Sequence, residues 1–414
     1  MKLKEENNQP SSGNKIRLPI LLCWLVYTIA YSGRYSYSSN ITSIINHYSV
    51  SHAEAGLVSA GFFFAYGLGQ FANGLLCKRY NKRFAVALSL LLSSAINFIL
   101  FLKVPFVFIK YLWFFNGIAQ SVLWSTLISL LSENLKPEDI PKSIVAMSVT
   151  VPAGTIIIYG ISSAAALFNG FIYVFLFASA LMAVSAAVWF IFYKKAFISS
   201  CQSSTSAPKL NSNGKITPVL ILTIAELALF AVANNLIKDG LTTWIPSIFK
   251  ENFGTSESIS ILMALILPVF GLPAAVSNAF FKRKISSFIS LSGIWYAIAA
   301  VCMGIIIISA ETSAVIIVIS AFGIVALSMY AVNNVITSMA PLYMREKINS
   351  GLLAGILNGC CYVGSTISSY GLGSVADKSG WNGVFSLLFY VCLGAAALAA
   401  VIELTAFLKN KMRI

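Results

Sequence analysis

The chain has 414 residues, 58% of them apolar and only 10% charged, too few charged groups to clothe a water-soluble domain on every side. Its net charge of +14 does not point to nucleic acid, because the basic residues sort by membrane side instead of gathering in one patch. Seven cysteines are scattered without a disulfide framework or metal-ligand spacing, so neither a metal nor another cofactor is expected.

A bilayer core needs about 20 mostly apolar residues per helix. Residues 1–17 form a polar tail, and the apolar stretch after them is longer than a signal-peptide core and lacks a small-residue cleavage site, so no cleaved signal is expected. Twelve stretches are long enough to span, at residues 18–44, 54–77, 84–102, 105–133, 141–168, 170–193, 217–248, 256–281, 286–309, 312–341, 347–375 and 380–408. Between the sixth and seventh lies the longest polar segment, rich in Ser, Asn, Gly and Pro, which predicts a flexible linker over 194–216. The expected fold is therefore an all-α membrane protein of twelve transmembrane helices. Its bodies are an N-terminal six-helix bundle (18–193) and a C-terminal one (217–408), with a short tail at 409–414.

With the N-terminus placed inside, 22 of the 28 Lys and Arg residues fall in inner loops and tails, and only Lys103, Lys250 and Lys378 in outer loops. That asymmetry predicts cytoplasmic termini in a multi-pass protein of the inner, or plasma, membrane. The halves also share a register. Arg34 and Lys238 lie 204 positions apart, as do Lys78-Arg79 and Lys282-Arg283, while Gly154 and Gly359 lie 205 apart. Three landmarks in order argue for parallel, pseudo-symmetric repeats, an architecture that places substrate near the midplane between the halves.

The remaining three cations, Arg34, Lys110 and Lys238, lie inside apolar stretches. A charge at the centre of a membrane helix costs about 2.5 to more than 10 kcal/mol, so it needs a partner, a cavity or a route to the interface. Lys110 is close enough to the outer end of its span to snorkel. Arg34 and Lys238 occupy equivalent repeat positions, and two cations converging on a cavity describe an anion site. The competing structural reading pairs each with an acid, Asp239 or Glu226, although neighbours on a helix point about 100° apart. Glu226 and Asp239 are also the candidate proton-coupling groups. Around Arg34 the strip YSGRYSYSSN supplies Tyr31, Tyr35, Tyr37 and Asn40, of which Tyr35 and Tyr37 cannot share a face. Further polar groups include Asn234 and Asn235, Tyr330, Asn333 and Asn334, and Asn358 and Tyr362, each of which could equally be inter-helix glue.

These features resemble the major facilitator superfamily and, within it, the organophosphate:phosphate antiporters. The likeness is carried by Arg34 in the first span, GIAQSVLW (117–124) ending at Trp124, KDGLTTWIP (238–246), and the stretch 354–385 with Gly355, Tyr362, Gly364, Asp377, Gly380, Trp381 and Phe385. The resemblance implies a rocker-switch carrier in which Arg34 and Lys238 grip a phosphoryl group, with Tyr362 as a hydrogen-bonding ring. It also has departures. The family's seventh-helix arginine is Lys238 here, a basic residue of the second helix is Gln70, and the fifth helix has Pro152 or Val151 where the family places a histidine. The loop signature reads Gly74-Leu75-Leu76-Cys77-Lys78-Arg79, with Lys78 where an aspartate is expected.

The function expected is secondary transport of a small organic anion, such as a sugar phosphate exchanged for inorganic phosphate as counter-substrate. The alternatives are a proton- or cation-coupled symporter of a carboxylate or sugar acid, and a sensor that keeps the transporter fold. The substrate-binding candidates are Arg34, Lys238, Tyr362, Tyr35, Tyr37, Trp124, Asn235 and Asn334. No enzymatic role and no nucleic-acid partner are expected; membrane lipid surrounds the chain, which is expected to work as a monomer.

Overall fold

Proline and glycine placement sets where the helices bend, in a computed structural model that describes residues 12–76, 79–136, 138–197, 218–285, 287–311, 314–344, 348 and 350–411. Cys77 and Lys78, most of the predicted linker and the extreme termini lie outside these residues. The first span, Ser12–Ser38, begins inside the predicted tail and is continued by a short helix, Ile41–Tyr48. The second, third and fourth spans are His52–Leu76, Lys82–Phe101 and Phe106–Asn134. The fifth is broken into Ile140–Ser148 and Thr150–Ala166, just ahead of Pro152, which cannot donate to the helical ladder and crowds the preceding turn. The sixth is Phe171–Phe197 and the seventh Pro218–Phe253.

Prolines divide the later spans as well. The eighth comes in three pieces, Glu257–Met263, Ile266–Gly271 and Ala274–Lys282, around Pro268 and Pro273. After the ninth span, Phe288–Glu311, the tenth runs over Val315–Asn334 and widens into a π-turn at Val335–Met339 before Pro341, a common way to absorb a missing donor. The last segment, Ser350–Lys411, has 62 residues, which as one unbroken helix would run about 90 Å at 1.5 Å per residue, three times a bilayer core. It is divided at Gly380, whose φ of 66° is non-helical, into the eleventh and twelfth spans.

Among the described residues ten segments are long and apolar enough to cross a bilayer, the last of them containing the Gly380 break. The first span, weakened in hydropathy by Arg34 and its tyrosines, completes the twelve. Packing repeats between the halves. The first span lies against the fifth and the seventh against the eleventh; the second pairs with the fourth and the eighth with the tenth. The third contacts the fourth and sixth, as the ninth contacts the tenth and twelfth. Across the halves the second runs along the eleventh, and the fifth along the eighth.

Close helix approach corrects one sequence landmark. A Cβ on Gly154 would overlap the carbonyl of Thr28 in the first span, and one on Gly364 would overlap the carbonyl of Val232 in the seventh. Thr28 and Val232 are themselves 204 positions apart, so the counterpart of Gly154 is Gly364. Gly359, the partner expected from sequence, would meet nothing within 4 Å. Lipid offers little hydrophobic drive for helix association, so such backbone contacts carry much of the packing. Gly364→Ala should therefore lower the thermal midpoint in detergent by an overpacking cost of about 1–3 kcal/mol. Gly359→Ala should leave it unchanged or raise it, since alanine is the better helix former.

Candidate functional site

The guanidinium of Arg34 is packed between aromatic rings. Its carbon lies 4.0 Å from the centre of the Tyr66 ring, 4.6 Å from Tyr31 and 5.4 Å from Phe62. Nη1 donates to the Tyr31 hydroxyl at 3.3 Å, while Nε is buried with no partner. Arg34 is 5% exposed. Among the described residues it makes no ion pair. Ring quadrupoles compensate a buried cation only in part, since a desolvated cation–π contact is worth about 2 kcal/mol or somewhat more. Arg34 thus keeps an unanswered positive charge and a free edge of donors.

Lys238 differs. Its ammonium is 3.4 Å from Oδ1 of Asp239 and 5.7 Å from the centre of the Tyr330 ring. The contact forms although the two are sequence neighbours on one helix, because the flexible lysine stem bends round to the carboxylate. Oδ2 of Asp239 accepts from Asn235 Nδ2 at 3.1 Å and from Ser365 Oγ at 2.5 Å. Asn235 also donates to Ser365 at 3.1 Å, tying the seventh span to the eleventh. The expected pair of cations without a carboxylate is therefore corrected: the centre holds one bare cation, Arg34, and one neutralised pair.

Tyr31 joins the two, being within electrostatic reach of both Arg34 and Lys238. The Tyr362 ring lies 4.8 Å from Tyr66, and Tyr35 lies 5.4 Å from Tyr31. Trp124 packs 4.9 Å from Tyr27, whose hydroxyl is 3.3 Å from that of Tyr66. Gln70, at the family's basic position, donates to the Tyr66 hydroxyl at 2.7 Å and accepts from Asn358 at 2.7 Å. Of the residues picked from sequence, Arg34, Lys238, Asp239, Asn235, Tyr35, Tyr362 and Trp124 are thus brought together.

Three others are not. Tyr37, two positions from Tyr35, turns away, donating to the Ala55 carbonyl at 3.0 Å and packing on Trp113. Asn334 faces the eighth span, where it accepts from Asn278 at 3.1 Å. Glu226 is twelve positions from Lys238, about 18 Å along the helix, and lies within electrostatic reach of Glu403 of the twelfth span. Lys110 lies over the Phe106 ring, at 5.3 Å, near the start of its helix. Pro152 is buried in the fifth span and carries no donor to the centre. The sequence reading passed over Tyr27 and Tyr66, though spacing could have found them: Tyr27, Tyr31 and Tyr35 stand at four-residue intervals, as do Tyr66 and Gln70.

One end of the molecule is sealed across the halves. Thr42 and Ser247 share a 2.9 Å hydrogen bond, Tyr159 donates to the Thr242 carbonyl at 2.8 Å, and Ser163 and Ser258 are 2.7 Å apart. His52 completes this seal with Glu251 and Asp377. On the other side of Arg34 and Lys238, the hydrogen bond seen between halves among the described residues is that of Gln70 with Asn358.

A family model described as the Major Facilitator Superfamily matches residues 23–352. The chain is similar to the glycerol-3-phosphate transporter of Bacillus subtilis (strain 168), 22% identical over 96% of this chain and 94% of that protein. It is 26% identical over 101 residues to the membrane sensor protein UhpC of Escherichia coli (strain K12), a match that spans about a quarter of each, 24% of this chain and 23% of the sensor. Among solved structures, a bacterial homolog to the human lysosomal transporter Spinster, inward-facing and occupied, superposes with a TM-score of 0.72 at 16% identity, covering 95% of this chain and 96% of that one. A D-xylose–proton symporter does so at 0.70 and 13% identity, over 93% and 97%. At such identities the solved structures speak for the fold.

Proposed function

The chain belongs to the Major Facilitator Superfamily, and from that premise we propose that this multi-pass membrane transporter carries a small organic anion. An organophosphate such as a sugar phosphate, exchanged for inorganic phosphate by rocking of the two bundles, is the reading we favour. The observation that carries it is Arg34: a buried guanidinium that, among the described residues, has no acid of its own and keeps a donor unpartnered. An incoming anion supplies the missing charge, and the tyrosine hydroxyls around it can donate to the remaining oxygens. The glycerol-3-phosphate transporter that resembles this chain over nearly its whole length adds support.

The basic loops then face the cytoplasm with both termini, the sealed end faces outward, and the protein works as a monomer in the plasma membrane. Residues 18–193 and 217–408 form the two moving bodies, joined through 194–216. A second reading is favoured by the Lys238–Asp239 pair, whose carboxylate could carry a proton in symport with a carboxylate or sugar acid. Counterflow into proteoliposomes separates the two. Phosphate loaded inside should accelerate uptake of labelled sugar phosphate several-fold if exchange is right; acceleration by an imposed pH gradient, with no effect of internal phosphate, would favour symport. Any net flux removes the sensor reading that the match to UhpC suggests.

A further inference from the structure

His52 is the first residue of the second span, and both of its ring nitrogens meet carboxylates from the other half. Nδ1 lies 2.7 Å from Asp377 Oδ1, at the end of the eleventh span, and Nε2 lies 3.0 Å from Glu251 at the end of the seventh. Neither carboxylate is idle. Asp377 accepts the backbone N–H groups of His52 and Ala53, at 3.0 and 2.8 Å, and so caps the second span from across the interface. Glu251 accepts from Trp381 Nε1 at 3.0 Å. The Trp244 and Trp381 rings flank the imidazole at 5.7 and 5.4 Å.

A neutral imidazole carries one N–H, so it can serve one of these carboxylates while turning a lone pair toward the other. Both contacts are satisfied together when the ring holds two protons. The other charged groups nearby are engaged elsewhere or point outward. Glu54 of the second span accepts from Ser51, Lys250 of the seventh pairs with Glu257 of the eighth at 2.7 Å, and Lys378 of the eleventh is exposed. The His52 side chain is 19% exposed, so protons from bulk water reach it.

We propose that His52 is a proton-operated latch, closing its end of the interface between the halves as imidazolium and releasing that end when it gives up one proton. Histidine changes charge within the physiological range, so the latch ties access from that face to pH there, whatever the transported solute. The Asp377 cap on the backbone survives deprotonation, so the release is a shift in population and not a rupture.

The test places spin labels at Asn46 and Ser379, exposed positions on opposite halves outside the cluster, in a background with the native cysteines replaced. Distances are measured in lipid nanodiscs from about one pH unit below the free imidazole value of ~6.5 to about three above it, because the two carboxylates favour the charged form. The expected result is a single short distance at low pH and, at high pH, a longer one whose share relative to the short rises about tenfold, the effect of losing one charge-assisted contact. His52→Gln, which still donates one hydrogen bond but cannot titrate, should give one distribution at every pH. A wild-type distribution that ignores pH, or a His52→Gln protein that shifts as much as wild type, would overturn the latch.

Discussion

Arg34→Ala is expected to cut anion affinity at least ~100-fold while leaving the protein folded. The expectation follows from arithmetic: two charge-assisted hydrogen bonds lost at ~1.5–3 kcal/mol each make ~3 kcal/mol or more, and each 1.4 kcal/mol is tenfold. Folding should survive because, among the described residues, Arg34 pairs with no acid that its removal would orphan. The measurement is the thermal shift produced by inorganic phosphate and glycerol 3-phosphate in detergent, since a ligand bound only to the folded form raises its stability. Arg34→Lys should fall between, because an ammonium keeps the charge but loses the planar fork and the stacking on Tyr66. A variant lacking the guanidinium that still shows the full wild-type shift would remove Arg34 from the site.

Lys238→Ala is expected to behave in the opposite way, damaging the fold as well as transport. It would strand the Asp239 carboxylate, which is buried and held by Asn235 and Ser365. Removing one partner of a buried ion pair costs about 3–5 kcal/mol. The double change Lys238→Ala/Asp239→Asn should recover most of that loss, because asparagine's carbonyl can still accept from Ser365 or Asn235 without a charge to neutralise. Thermal midpoints of the two singles and the double form a cycle whose interaction energy reads the pair directly. A double whose loss equals the sum of the losses of Lys238→Ala and Asp239→Asn would mean that the pair contributes nothing. Lys238→Arg should keep transport activity, restoring the cation that the resembling antiporters carry there.

The architecture was legible because it rests on one-dimensional facts. Apolar length marks a span, and the 204-residue offset from Arg34 to Lys238 exposes the repeat. Where a reading needed depth of contact, sequence fell short. Gly359 and Gly364 are both glycines on one helix, and only the carbonyl of Val232 tells them apart. Asp239 could be named as a partner of Lys238, yet adjacency argued against their meeting until the bend of the lysine stem was seen. That Tyr35 and Tyr37 cannot share a face follows from their spacing, but which of the two faces Arg34 does not. His52 falls in the gap between the predicted spans 18–44 and 54–77, and no local pattern links it to Glu251 and Asp377, 199 and 325 positions away.

The bare charge of Arg34 has an electrical consequence. On the proposed alternating-access cycle, passage of the empty carrier from one access state to the other shifts an uncancelled elementary charge relative to the field, an event biased by up to about 2.3 kcal/mol per 100 mV. A bound monoanion cancels that charge, so the loaded and unloaded legs of the cycle feel the membrane voltage differently. Rapid solution exchange on a supported membrane should then record a brief current when the occupied site forms, even where tracer uptake is at steady state.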